Sequence, residues 1–309
     1  MYKELDGYHA YYKYPNYTSP YESLHTLVQL ASALYWKKNF GKIHLVCNQG
    51  HLDVLKIYGV DKVYDSIDLT VLDDMGSVDM RYWSLAKIHL ANHLAKTKQR
   101  FCIVDTDLWM RKVPTLFDLS ADLLGLHMES FDPEDGMSSY QPPADFIPYS
   151  EEEKYDWDVL PLNCGVIYLN NPALVRAWYH FAMATVDRNR YTPHLMAIDA
   201  VETIFIEQRV LPTMAVKFGC KVGTIIPSTY HTALNYRLKD GPADNFVPSF
   251  TSSPEMEECF ANIKHVWGLK KQFADPNVRR GVSTQVLNNL EEDGFDLSEF
   301  SKLLEDNII

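Results

Sequence analysis

Basic residues are in short supply: 29 Lys plus Arg stand against 41 Asp plus Glu, a formal net charge of −12. A surface this acidic does not suit a broad interface with a nucleic-acid backbone or with anionic lipid. It still admits one small phosphorylated ligand, because a divalent cation can supply positive charge locally. No apolar run approaches the roughly 20 residues that a membrane-spanning helix needs. The opening MYKELDGYHAYYKYP has no apolar signal-peptide core, so the expectation is a soluble, cytoplasmic protein without an integral membrane segment. Paired cysteines are missing too. Cys47, Cys102, Cys164, Cys220 and Cys259 are odd in number, contain no CxxC and sit mostly in apolar runs, as expected of free thiols in a reducing compartment. Neither an internal repeat nor a low-complexity tract is present.

Core-forming material is plentiful. Hydrophobic residues make up 46% and aromatics 13% of the 309 residues, which excludes a disordered chain. Strand-like and helix-like segments alternate through the first half. Residues 7–12 read as a short strand, and 20–39 as a helix opened by Pro20 and closed by Gly41. An apolar strand at 43–47, a helix at 51–57 and a weak strand at 63–67 follow. Residues 81–97 place Trp83, Ala86, Leu90 and Leu94 on one helical stripe. Phe101-Cys102-Ile103-Val104 is apolar without alternation, as a strand buried on both faces should be.

Residues 129–160, rich in acid, proline, serine and aromatics, read as an insertion over the active face. After it come a strand over 161–170, a helix over 172–187, a helical stretch over 196–217 interrupted near Pro212, and a strand over 221–226. Residues 231–262 look irregular, 263–267 look like a last strand, and 277–305 form a C-terminal helical segment. The order predicts an α/β fold with a mostly parallel central sheet flanked by helices, in a single domain over 1–309.

Three segments carry chemistry. Asp105-Thr106-Asp107 follows the buried strand at the point where ligands bind in open parallel sheets. Two carboxylates so placed can both reach one hard cation, Mn²⁺ or Mg²⁺, although acidic pairs also occur in ordinary turns and caps. In His265-Val266-Trp267-Gly268-Leu269-Lys270-Lys271, the histidine can add a nitrogen ligand. Gly268 would allow close backbone approach, and Lys271 offers a point charge for a diphosphate. The bland alternative is a surface histidine near lysines. Asn163-Cys164-Gly165 supplies an amide able both to donate to and to accept from sugar hydroxyls, or else a buried strand with a glycine bulge.

Together these segments resemble the GT-A glycosyltransferases, in particular the family 8-like enzymes related to glycogenin and the lipopolysaccharide galactosyltransferases. Asp105 and Asp107 match that family's strand-terminal DxD; His265, Gly268 and Lys271 match its late HxxGxxK. The likeness covers about residues 40–271. It implies a Rossmann-like nucleotide-diphospho-sugar transferase domain, with Asp105, Asp107 and His265 as ligands of Mn²⁺ or Mg²⁺. Diphosphate contact falls to Lys271, with Gly268 beside it, and the Asn163 segment faces sugar and acceptor. The implied activity is transfer of a sugar, retaining its anomeric configuration, from a UDP-sugar to a hydroxyl acceptor such as a glycan in polysaccharide biosynthesis.

There are departures from the family pattern. An Asp-Gln pair expected on a later helix is represented only by Glu207-Gln208, with Asp199 and Glu202 upstream, so Gln208 and Asp199 are both candidates to face the reacting carbon, alongside Asn163. Gln272-Phe273 stands where the family has Pro-Trp. Lys87 and Arg81, on the helix before the DxD strand, are candidates to reach a phosphate or the carboxylates. Trp83, Trp109 and Trp267 read mainly as core, whereas Trp157, inside the insertion, is a stacking candidate. His89 and His93 are four apart but lack the glutamate of a zinc-protease helix. The competing readings are a non-catalytic nucleotide-sugar or glycan binder, a DxD phosphohydrolase and a nucleotidyltransferase. A phosphohydrolase would carry its motif near the N-terminus, and a nucleotidyltransferase a basic, Gly-rich loop that residues 1–20 lack.

Overall fold

A computed structural model describes residues 2–15, 19–73, 75, 82–129, 159–189, 201–226, 254–270 and 272–307. Its elements are β1 (Gly7–Tyr11), α1 (Glu22–Asn39), β2 (Ile43–Cys47), α2 (Gln49–Tyr58), β3 (Ser66–Asp68), α3 (Leu85–Leu94), β4 (Phe101–Val104), β5 (Leu108–Met110), β6 (Leu123–Gly125) and β7 (Val166–Leu169). There follow α4 (Pro172–Asn189), α5 (Val201–Ile204), α6 (Val210–Lys217), β8 (Val222–Thr224), α7 (Pro254–Asn262), β9 (Ile263–His265), α8 (Trp267–Lys270), α9 (Pro276–Glu292) and α10 (Ser301–Glu305). This is the predicted α/β fold. One seven-stranded sheet has the order β3-β2-β1-β4-β7-β6-β8, and β5 and β9 form a separate two-stranded ribbon. The pairings β1–β2, β2–β3 and β6–β8 are parallel, whereas β6–β7 and β5–β9 are antiparallel. Among the described residues no helix is long and apolar enough to cross a membrane.

The chain divides into two compact units. The first comprises Met1–Leu69, Val104–Thr115 and Thr229–Ile309. In it α1 buries Leu27, Leu30, Ala31, Tyr35 and Trp36, and the basic pair Lys37 and Lys38 sits in its last turn, favourable for the helix dipole. Gly59 ends α2 in the left-handed region, at φ 73°, a conformation with little penalty only for glycine. The first turn of α9 is fixed by Pro276 and by the Asp275 side chain, which accepts from Asn277 N–H at 2.8 Å.

The second unit comprises Thr70–Ile103 and Leu116–Ser228. Between α5 and α6 the residues Phe205–Arg209 form a π-helical turn. The sequence suggests a break at Pro212, yet α6 runs through that residue and the irregularity lies one turn earlier. Pro212 has no N–H to give the carbonyl four residues back, and that carbonyl, of Gln208, instead accepts from Leu162 N–H at 2.8 Å. The helix defect is thus satisfied by the segment leading into β7.

Several expectations need correction. Residues 254–262, expected to be irregular, form α7, while 231–253 lies outside the described residues. The strand expected over 161–170 is confined to Val166–Leu169. Trp83 precedes α3 and is 42% exposed, so it does not share the buried stripe of Ala86, Leu90 and Leu94. All five cysteines are free, and Cys47, Cys102 and Cys164 are buried, as anticipated.

Gly7 opens β1 against Trp36, and a Cβ there would lie 2.3 Å from the indole ring. Gly7→Ala is therefore expected to destabilise the protein by about 1–3 kcal/mol, read as a lower midpoint in denaturant unfolding.

A candidate cation site at the strand ends

The buried run of β4 ends at Val104, and Asp105-Thr106-Asp107 turns the chain into β5. β5 then pairs with β9, so that Leu108 lies opposite His265, and Val266 N–H donates to the Asp107 carbonyl at 3.1 Å. This ribbon, made of two short strands far apart in sequence, joins the two predicted motifs. One ligand atom each from Asp105, Asp107 and His265 falls within 4.8 Å of the others. Among the described residues this is the only group of three or more His, Cys, Asp or Glu side chains with that geometry.

Asp107 is 4% exposed. His265 Nε2 lies 3.6 Å from its Oδ1, and Lys270 Nζ lies 3.0 Å from its Oδ2. Asp107 Oδ2 and His265 Nε2 are buried and lack a well-formed hydrogen bond, so the lysine contact is one of charge, not of aligned hydrogen bonding. Burial alone would raise the Asp107 carboxyl, but Lys270 and His265 beside it hold it well below the usual carboxylate range. Native structures leave few buried polar atoms without hydrogen bonds. Two converging here, in an oxygen-and-nitrogen donor set, fit a hard or borderline divalent cation such as Mn²⁺ or Mg²⁺.

A cleft beside this set is lined by Tyr11, Lys13, Glu22, His51, Thr106 and Lys270, among others. His25 also lines it, its pKa lowered to about 4 by burial and by Lys270, against the opposing pull of Asp107. His25 is therefore neutral at physiological pH. Tyr11 stacks on His51 with ring centroids 4.1 Å apart.

Two further clusters belong to the second unit. Lys87 reaches Glu207 at 2.6 Å and the Cys164 carbonyl at 3.1 Å, with Glu207 3% exposed. The sequence assigns Lys87 to phosphate or to the DxD carboxylates, and the structure gives it a buried carboxylate partner on the π turn. Asn163 Nδ2 donates to Glu129 Oε1 at 2.7 Å, while its Oδ1 accepts from Gly165 N–H at 3.0 Å. His127 Nε2 stands 3.4 Å from the same Glu129 oxygen, and both side chains are buried.

Of the remaining predicted site residues, Gln208 is half-buried on the π turn, and its described contact is the main-chain one to Leu162. Gly268 falls within α8. Lys271, Asp199, Arg81 and Trp157 lie outside the described residues, as does most of the 129–160 insertion. Trp109 is buried and donates to Asn289 Oδ1 at 3.3 Å, a packing role as expected. His89 packs edge-on against Tyr179.

Sequence reading missed Lys270, His127 and Glu129. Lys270 directly precedes the lysine that the motif singles out. Glu129 follows the apolar Leu123–Leu126 run much as Asp105 follows β4, which was the available signal.

Fold and site thus define an α/β protein with a carboxylate–imidazole cluster that could hold a cation where a buried strand gives out. The chain belongs to the Family of unknown function (DUF6734), whose model matches residues 16–263. No curated protein matches it by sequence. Among solved structures, it is similar to the galactosyltransferase LgtC in complex with donor and acceptor sugar analogues, at 11% identity over 97% of this chain and 100% of that one, with a TM-score of 0.46. It is also similar to mouse xyloside xylosyltransferase 1 in its apo form, at 11% identity over 72% and 85% of the two chains, TM-score 0.36. A further similarity is to the glycosyltransferase PaToxG, at 10% identity over 70% and 69%, TM-score 0.37.

Two outcomes follow from these clusters. Lys270→Met removes a cation that a metal ion would have to face, so Mn²⁺ affinity without nucleotide should rise by roughly tenfold in a calorimetric titration. Lys87→Met, which removes the cation paired with buried Glu207, should destabilise by about 3–5 kcal/mol in denaturant titration, and Lys87→Met with Glu207→Met by clearly less.

Proposed function

We propose that this protein is a metal-dependent glycosyltransferase of the GT-A kind, moving a sugar from a nucleotide-diphosphate donor, expected to be a UDP-sugar, to a hydroxyl acceptor. The observation that carries this reading is the Asp105–Asp107–His265 set around the buried Asp107, with two buried polar atoms that no good hydrogen bond satisfies, at the carboxyl end of a strand. The motif resemblance supports it independently: the same three residues are those matched to the family's DxD and HxxGxxK. A net charge of −12 agrees with a site that needs a dication before it accepts a diphosphate.

Bound there, Mn²⁺ or Mg²⁺ would supply Lewis-acid stabilisation of the charge that develops on the leaving nucleoside diphosphate. Asp105, Asp107 and His265 would hold it. Lys271 and Lys270 are the chain's own cations for the diphosphate, Lys270 being the one already at Asp107. His25, kept neutral, adds no competing charge to the cleft. On this reading the departing diphosphate needs no side-chain acid to protonate it. Gln208, Asp199 and Asn163 are proposed to face sugar and acceptor, with Glu129 added through its bond to Asn163. Retention of configuration, one domain over 1–309, a glycan acceptor in polysaccharide biosynthesis and a cytoplasmic setting complete the reading.

The test is calorimetric titration with UDP-glucose, UDP-galactose, UDP-N-acetylglucosamine and the GDP-sugars, run with Mn²⁺, with EDTA, and on Asp107→Ala. The expected result is binding of one donor that disappears with EDTA and in the variant, together with slow release of free nucleoside diphosphate. Binding without release under any acceptor would favour a non-catalytic receptor. Failure of every donor to bind in Mn²⁺ would overturn the proposal.

A further inference from the structure

Beneath the Asp105 turn, within the first unit, five polar side chains form one connected chain in an otherwise apolar core. His51 Nε2 lies 3.1 Å from Gln29 Oε1. Gln29 Nε2 lies 2.7 Å from the Tyr64 hydroxyl, which is 2.8 Å from His9 Nδ1. His9 Nε2 lies 3.0 Å from Ser32 Oγ, which donates to the Asp105 main-chain carbonyl at 3.2 Å. All five residues are buried, with His9 0% and Tyr64, the most open, 8% exposed.

The direction of every bond follows from the last one. A carbonyl only accepts, so the single Ser32 proton goes to Asp105. Ser32 must then accept, which makes His9 Nε2 a donor. His9 is neutral, because burial lowers its pKa to about 3 even with Asp107 pulling the other way. Its Nδ1 therefore accepts from the Tyr64 hydroxyl, and Tyr64 in turn accepts from the Gln29 amide. Gln29 Oε1 then accepts from His51 Nε2–H. Each proton in the chain has one destination, and the series ends on the first residue of the proposed metal-binding turn.

Polar chains of this kind are costly to bury and fix one geometry when fully satisfied. A core built only for stability would be served by apolar side chains of similar volume. The groups that orient metal ligands from behind typically change metal affinity 10–100-fold when they are removed.

We propose that His9 and Ser32 are positioning residues: the chain His51–Gln29–Tyr64–His9–Ser32 holds the Asp105 backbone so that its carboxylate meets Asp107 and His265. The inference rests on the metal-site part of the function proposed above and on no assumption about the donor sugar. Because the chain is neutral throughout, it orients the turn without adding charge beside the cation.

The test compares Mn²⁺ titrations and thermal unfolding of the wild type with Ser32→Ala, His9→Leu and His9→Gln. Any loss of core hydrogen bonds lowers the melting temperature, so stability does not discriminate. Mn²⁺ affinity of the folded protein does. Ser32→Ala and His9→Leu should weaken Mn²⁺ binding by about tenfold or more, whereas His9→Gln, whose amide can donate to Ser32 and accept from Tyr64, should stay within about threefold. Ser32→Ala, the milder change, keeps the test open if His9→Leu does not fold. Wild-type affinity in folded Ser32→Ala would overturn the proposal, leaving the chain a structural feature. A nitrogen NMR signature with the His9 proton on Nδ1 would overturn it as well. If the wild type binds Mn²⁺ but no nucleotide sugar, the transferase reading fails and the positioning inference is still decided by these titrations. If the wild type binds no Mn²⁺, both fall.

Discussion

A carboxylate taken out of water must be compensated, and the surroundings of Asp107 are arranged around that constraint. Its carbonyl is tied to Val266, its oxygens face His265 and Lys270, and it lies in a turn fixed at one end by β4 and at the other by the β5–β9 ribbon. Lys270 and His265 lower its pKa, but neither satisfies it with a well-aligned bond. A site of this kind is electrostatically prepared and geometrically incomplete, which is why a dication with open coordination positions suits it better than a further hydrogen bond would.

The backbone around that carboxylate is held from below as well as from the side. The ribbon sets where Asp107 and His265 lie relative to each other, while the neutral chain ending at Ser32 contacts the main chain of Asp105. In the second unit a different device appears. The missing N–H of Pro212 frees a carbonyl on the π turn, and the segment that carries Asn163 supplies the replacement donor. Glu207 on the same turn pairs with Lys87, and Trp178 Nε1 donates to the Ile206 carbonyl, so side chains as well as the main chain hold the turn.

Much of this was readable in advance, for specific reasons. Apolar β4 followed by Asp-x-Asp stands out because a strand buried on both faces lacks alternation and its end is abrupt. Helices α1 and α9 are long and carry recognisable ends. Residues 254–262 did not read as a helix because the segment is only nine residues long and acidic. Spacing singled out Lys271 through the HxxGxxK match, whereas the described lysine that faces Asp107 is Lys270, a contact between distant segments that motif spacing does not carry. Trp83 was misplaced because the helix starts two residues later than its apolar pattern suggests.

The sequence by itself determined the alternation of strands and helices and the identity of the three candidate metal ligands, because these depend on local pattern. Tertiary structure alone decided that Asp107 and His265 lie side by side, that Lys270 faces the carboxylate, and that His9, Ser32, Tyr64, Gln29 and His51 form one directed chain. Each of these depends on pairing between segments distant in the chain, and a hydrogen bond or ion pair between such segments leaves no periodic trace in the order of residues.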